Sequence, residues 1–135
     1  MLDGDFHSLQ GKNIPDYATI FRIHGPFLFG ATDKIATIVD HIAELPPIVI
    51  LRLRNMTAID ATGLHALERL AHRLRRSNRT LLMCGARHQP ARFLAKAAFI
   101  EEIGRDNIQP DVEAALARAR ELHSRRDWTD DTGLR

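Results

Sequence analysis

The chain has 135 residues, of which 44% are hydrophobic and 27% are charged, and this length is typical of a single domain. The only cysteine, Cys84, excludes an internal disulfide framework, and no apolar run approaches the roughly 18–20 residues that a membrane-spanning helix needs. The net charge of +2 is too small to indicate binding to nucleic acid.

The first part of the chain predicts a linker followed by two strands. Residues 1–16 are polar and show no hydrophobic periodicity, so we expect a lead-in segment there. Residues 17–24 alternate between an apolar and a mixed face, as a strand does. A Gly-Pro break is then followed by the apolar residues 27–29, which predict a short second strand.

The centre of the chain predicts a helix and then a buried strand. Apolar residues recur at positions 35, 38, 39 and 42, which is the spacing of one buried helix face. The prolines at 46 and 47 end this helix, because proline cannot continue an α-helix. The β-branched run from Ile48 to Leu53 predicts a central strand that is buried on both faces.

The remaining residues continue the alternation of helices and strands. The predicted elements are, in order, a loop over residues 55–63, a helix over 64–76, a strand over 80–84, a helix over 90–99, a connector with a short edge strand over 104–109, and a helix over 111–123. The polar residues 124–135 are expected to form a disordered tail. This pattern predicts an α/β domain over residues 17–123 with a central, partly parallel sheet.

The motifs that would indicate catalysis or metal binding are missing from the sequence. The seven histidines form no HxxxH or HExxH pair, and Cys84 has no CxxC partner, so we predict no metal site. A cysteine at the end of an apolar strand is typical of a small core residue. Neither Gly-x-Ser-x-Gly nor a glycine-rich phosphate loop occurs. We therefore predict a protein that is not an enzyme and that carries no cofactor.

One loop combines polar residues at a strand-to-helix junction, namely Asp60, Thr62 and Gly63. Gly63 permits a tight turn of the backbone there. A side-chain oxygen of either Asp60 or Thr62 could cap the free N–H groups of the following helix. The same N–H groups would favour an anion, or a phosphate group on Thr62, so a structural cap and a regulatory site both remain open.

The helix after this loop carries the basic residues Arg69, Arg73 and Arg76. These side chains could contact an anion or an acidic protein partner, and the alternative is a solvated helix face. A nucleotide phosphate could bind at the start of the helix with Arg69 and Arg73. The carboxylate of Asp60 counts against this nucleotide site, because it would repel the phosphate.

The segment Asp60-Ala61-Thr62-Gly63-Leu64, after a buried strand and at the start of an amphipathic helix, resembles the signature loop of the STAS domain. This family includes bacterial anti-sigma factor antagonists and the C-terminal cytoplasmic domains of SulP-type sulfate and anion permeases. The resemblance implies a STAS fold, with a mixed central β-sheet flanked by about four helices. Thr62 stands where the antagonists carry a phosphorylatable Ser or Thr, and Asp60 matches the family's acidic residue two places earlier.

The apolar segment Ile23–Ala31 resembles the permease branch, because the antagonists usually carry a polar Gly-Glu-Leu-Asp type segment here. Residues 62–68 are also similar to the permease version. The leading interpretation is a non-catalytic regulatory and interaction domain of a SulP-type sulfate or anion transporter, which supports assembly or gating of the membrane domain. The alternative is a free-standing anti-sigma factor antagonist that is switched by phosphorylation of Thr62.

The resemblance also implies a location and partners. It places the domain at the cytoplasmic face of the inner (plasma) membrane, with the transmembrane domain of the parent transporter as its partner. A second STAS copy or an acidic protein is a further partner. Phe27, Leu28 and Phe29 form a candidate docking patch, because a strand alternates its faces and at least one of them should point outward. The other interpretation is that all three fill the core.

Overall fold

The structure is a computed structural model in which residues 14–28 and 33–132 are described, with side chains for residues 14–28 and 34–125. The strands are β1 (Ala18–Arg22), β2 (Gly25–Phe27), β3 (Ile48–Arg52), β4 (Met56–Ile59), β5 (Thr80–Cys84) and β6 (Ile108–Gln109). The α-helices are α1 (Asp33–Asp40), α2 (Ala61–Arg76), α3 (His88–Lys96), α4 (Phe99–Ile103) and α5 (Val112–Thr132). Short 3-10 turns lie at Ile42–Glu44 and Arg105–Asn107.

The strands form two parallel arrangements. The main sheet has the order β1-β3-β5-β6, and β2 pairs with β4 in a separate ribbon. In the main sheet Ile20 lies opposite Ile50, which lies opposite Leu82. All of the strand pairs are parallel, so the described residues include no antiparallel strand of the kind that a mixed sheet requires.

Apolar side chains cover both faces of the main sheet. Val49 and Leu51 of β3 belong to a core that includes residues of α1 and α2, whereas Ile48 and Ile50 belong to a core that includes α5. The prediction of a central strand buried on both faces is therefore confirmed. Ala115 and Ala119 of α5 are fully buried, and their small side chains allow this helix to lie close to the sheet.

The segment 55–63, predicted to be a loop, contains strand β4. Met56 and Ile59 at its two ends are buried and Thr57 is exposed, so its burial does not follow the simple alternation of a half-buried strand. Its partner is β2, with Phe27 opposite Ile59. This partner lies about thirty residues away in the sequence, so a local pattern does not reveal the pairing. Helix α2 begins three residues earlier than predicted, at Ala61.

Two further boundaries differ from the prediction. The predicted helix over 90–99 is divided into α3 and α4 by Ala98, whose φ of +60° is incompatible with a continuous α-helix. The tail predicted to be disordered continues α5 as far as Thr132, because no glycine or proline interrupts it before Gly133. An ion pair of 3.3 Å between Glu121 and Arg125 lies where the tail was expected to begin. Most of the predicted lead-in over 1–16 lies outside the described residues.

Candidate functional site

Asp60 caps helix α2. Its Oδ1 accepts a hydrogen bond of 2.9 Å from the backbone N–H of Gly63, and its carbonyl oxygen accepts one of 2.9 Å from Leu64. Thr62 lies in the first turn with an exposed side chain, and it forms no cap hydrogen bond among the described residues. The structure therefore assigns the cap to Asp60 and leaves the Thr62 hydroxyl accessible to solvent.

Close packing, and not a tight turn, is the reason that position 63 needs glycine, although the sequence predicted a turn there. Its φ is not positive, so another residue type could adopt its backbone conformation. A Cβ atom here would lie 2.4 Å from the Phe27 carbonyl oxygen and 2.9 Å from Cδ2 of the same residue. It would also lie 2.9 Å from Ile59 Cγ1. Helix α2 thus begins directly against β2 and β4, and only glycine fits without displacement.

Gln89 of α3 holds the edge of β4, a role that the sequence did not predict. Its Nε2 donates a hydrogen bond of 2.9 Å to the carbonyl oxygen of Ile59, and its Oε1 accepts one of 2.8 Å from the Ile59 N–H. The side-chain amide therefore replaces a neighbouring strand at the residue before Asp60. A glutamine in an amphipathic helix carries no sequence signal for this contact, because the two residues are 30 positions apart.

The candidate docking patch is not a continuous exposed surface. Phe27 is 1% exposed and belongs to the core, so it was wrongly expected to contribute to an outward patch. Leu28 is half-buried, and Phe29 lies outside the described residues. Phe27 is buried because its carbonyl group and its ring pack directly against Gly63 at the start of α2. The two segments that carry the family resemblance are thus in direct contact.

The basic residues of α2 divide between two environments. The side chains of Arg69, Arg73 and Arg76 are all exposed, but only Arg69 and Arg73 line a groove of about 590 Å³ beside α1. His65 and His72 also line this groove, together with the acidic residues Asp40, Glu68 and Glu102. Three carboxylates among two arginines give a nucleotide phosphate no net attraction there. The role of these arginines toward a partner stays a prediction.

Cys84 is a buried core residue, as the sequence predicted. Burial raises the pKa of its thiol to about 11, an effect that the nearby Arg52 guanidinium only partly opposes. The thiol is therefore protonated and unreactive at neutral pH. In the described part of the chain no group of three or more His, Cys, Asp or Glu residues could hold a metal ion, and no helix is long and apolar enough to cross a membrane.

This fold and loop agree with a known family. The family model described as the STAS domain matches residues 11–115, which is most of the chain. The chain therefore belongs to the STAS domain family, and the predicted family and fold are confirmed.

Two of the similar solved structures are described as transporter proteins or domains, and a third is an anti-sigma factor antagonist. A sulfate transporter family protein from Wolinella succinogenes is similar in structure with a TM-score of 0.79 and 34% identity, over 90% of this chain and 98% of that one. The SulP transporter STAS domain from Vibrio cholerae is similar with a TM-score of 0.71 and 27% identity, over 90% and 96% of the two chains. The anti-sigma factor antagonist SpoIIAA is similar in structure with a TM-score of 0.60 and 16% identity, over 81% of this chain and 94% of that one. At this identity the similarity shows the fold alone.

A curated relative is much longer than this chain. The putative sulfate transporter YvdB of Bacillus subtilis (strain 168) is 24% identical over 103 residues, which are 76% of this chain. The chain spans 19% of the length of that relative. The matched region is thus a minor part of a larger protein in that case.

Proposed function

We propose that this chain is the non-catalytic regulatory domain of a SulP-type sulfate or anion transporter, at the cytoplasmic face of the membrane. Its role is to support assembly or gating of the transmembrane domain. The observation that carries the proposal is the end-to-end structural similarity to STAS domains of sulfate transporters, which covers 90% of this chain. YvdB supports it, because the same region occupies only a fifth of that longer protein.

The surface proposed to meet the transmembrane domain is the start of α2 with the adjoining end of β2. Ala61 and Thr62 are exposed there, and Leu28 is half-buried. The cap by Asp60 and the close packing of Gly63 fix the backbone beneath this surface. A rigid, exposed turn can transmit a contact to the partner, because it does not have to be ordered when the partner binds.

The experiment is sulfate uptake by cells that express the complete gene product containing this chain. Thr62→Glu adds a negative charge to the exposed turn without burying it, and Ser124→Glu adds the same charge on the exposed side of α5. We expect Thr62→Glu to reduce uptake at an unchanged amount of protein in the membrane, and Ser124→Glu to leave uptake unchanged. Detection of the chain only as a free-standing soluble protein would refute the proposal, and so would equal uptake by both variants.

A second candidate function rests on the exposed hydroxyl of Thr62. A phosphate there would lie in the first turn of α2, where the helix dipole favours negative charge, and two residues from the Asp60 carboxylate, which opposes it. A free-standing antagonist would bind an anti-sigma factor when Thr62 is unmodified and release it when phosphorylated. Mass spectrometry of the chain from its source cells tests this candidate, since an absence of phosphate on Thr62 under all growth conditions would count against it.

A further inference from the structure

The main sheet ends on a row that carries two arginines, on the side covered by α5. Ile20, Ile50 and Leu82 form one register row of the apolar core on that side. Two residues further along the strands, the next row on the same face is Arg22, Arg52 and Cys84. Register partners in parallel strands point to the same face. Two guanidinium groups therefore stand side by side at the carboxyl end of the sheet.

A cavity lies against this row. Its volume is about 460 Å³, and Arg52, Arg54 and Arg87 line it together with Cys84 and the residues at the start of α5. This volume is in the range of small-molecule sites. The carboxyl ends of parallel strands are also where open α/β sheets bind their ligands. The cavity shares no lining residue with the groove beside α1 and α2.

The arginines of this region have no anionic partner within the described structure. Arg22, Arg52, Arg54 and Arg87 form no ion pair or side-chain hydrogen bond with any described residue, and the Nε of Arg22 is buried without an acceptor. Partial burial lowers the pKa of Arg52, and the neighbouring charges of Arg22 and Arg54 lower it further. Like charges repel when they gather in this way, so within the described residues the cluster would be stabilised by an added anion.

The carboxylates beside the cavity offset only part of the positive charge of the cluster. Asp111 and Glu113 line the cavity at the start of α5. The Oδ1 of Asp111 accepts a hydrogen bond of 2.8 Å from Ala114 N–H, so this carboxylate is engaged in capping the helix. The three lining arginines against the two lining carboxylates leave an excess of positive charge, to which Arg22 adds from its place beside Arg52 in the register row. The amino-terminal end of the long helix α5 adds its partial positive charge in the same place.

We propose that this cavity is a binding site for a tetrahedral oxyanion, phosphate or sulfate, either free or as the end group of a small molecule. The guanidinium groups of Arg52 and Arg54 would hold it, because their planar arrays of N–H donors match the oxygen pairs of such anions. Arg87 also lines the cavity, and Arg22 contributes charge from its register position beside Arg52.

The test is isothermal titration of the 135-residue chain with sodium sulfate, phosphate, pyrophosphate and ATP, at an ionic strength kept constant with sodium chloride. We expect at least one probe to bind with a dissociation constant below about 10 mM. The order of affinities distinguishes a free anion from the phosphate end of a nucleotide. Arg52→Gln and Arg54→Gln should each weaken binding by about tenfold or more. Arg120→Gln, which removes an exposed charge on α5, should leave it unchanged.

Thermal unfolding separates loss of the site from loss of the fold. Because Arg52 and its neighbours repel one another, Arg52→Gln without anion should melt at a temperature equal to or above that of the wild type. The same variant should lose the stabilisation that the bound probe gives the wild type. Arg54 is exposed, so its substitution leaves the core intact and provides a second folded variant. Absence of binding by all four probes, or unchanged binding by both variants, would overturn the proposal.

Discussion

Replacing Gly63 with alanine is expected to destabilise the domain, although the same change within a helix ordinarily stabilises it by about 0.5–1 kcal/mol. The added methyl group would lie 2.4 Å from the carbonyl oxygen of Phe27 and 2.9 Å from Ile59 Cγ1. The side chain of Ile59 is buried in the core, and the carbonyl of Phe27 belongs to the backbone of β2, which pairs with β4. Overpacking costs about 1–3 kcal/mol, and a clash with backbone belongs to the upper part of that range, about 2–3 kcal/mol. After the ordinary gain of up to about 1 kcal/mol is subtracted, the net loss should be about 1–2 kcal/mol.

Thermal unfolding followed by circular dichroism measures this effect. For a chain of this length a loss of 1 kcal/mol lowers the melting temperature by about 3–5 °C, so we expect a decrease of about 3–10 °C. Thr62→Ala is the control, because this exposed neighbour shares the first turn of α2 and makes no cap; it should change the melting temperature by less than about 2 °C. A melting temperature of Gly63→Ala equal to the wild type or higher would refute the reasoning, since β2 would then move away from α2 without cost.

Three further predictions concern residues around the sheet. Asp60→Ala should lower the free energy of unfolding by about 1 kcal/mol in urea, because the Gly63 N–H loses its cap, and Asp60→Asn should retain most of it. Gln89→Leu should lower the same free energy by about 1–3 kcal/mol, because it leaves both backbone groups of Ile59 without a partner. Cys84 should react slowly with a thiol reagent at about pH 8 when folded and rapidly in denaturant. Burial raises the pKa of this thiol from 9.0 to about 11, so as the pH rises the thiol ionises in the unfolded state before it ionises in the folded state. The free energy of unfolding should therefore decrease between about pH 9 and pH 11 in the wild type, and this decrease should be absent from Cys84→Ala.

Each of these predictions has an outcome that would contradict it. Equal urea midpoints for Asp60→Ala and the wild type would show that the cap contributes no stability. An unchanged free energy for Gln89→Leu would mean that water satisfies the edge of β4 equally well. Equal thiol reactivity in the folded and unfolded states would contradict the burial of Cys84, and so would parallel pH profiles of the wild type and Cys84→Ala.

The sequence predicted which residues form the signature loop, but not the structural role of each one. Asp60 and Thr62 were both candidates for the cap, because each side chain has an oxygen that can accept from the first N–H groups of a helix, and the sequence alone does not distinguish them. The structure assigns the cap to Asp60, since α2 begins at Ala61. The packing role of Gly63 could not be predicted, because it depends on Phe27, which lies 36 positions earlier and reaches it only through the pairing of β2 with β4.

Contacts between distant residues account for the other differences as well. The strand β4 has only four residues, and its partner β2 only three, so neither carries a strong pattern by itself. The amide of Gln89 completes that strand from a helix that follows later in the chain. The row of Arg22 and Arg52 becomes visible only when the register of β1 against β3 is known. In the sequence these residues are two isolated charges at strand ends.

The sequence by itself determined the alternation of helices with the strands of the main sheet, the double burial of β3 and the family of the domain. These properties follow from local geometry, because the periods of a helix and a strand repeat within a few residues and are written directly in the pattern of apolar side chains. The tertiary structure alone decided which strands pair, why position 63 requires glycine, and that several arginines meet beside a cavity. Those features depend on contacts between residues that are tens of positions apart in the sequence. Such contacts form, and stabilise the protein, only when the sheet brings the residues together.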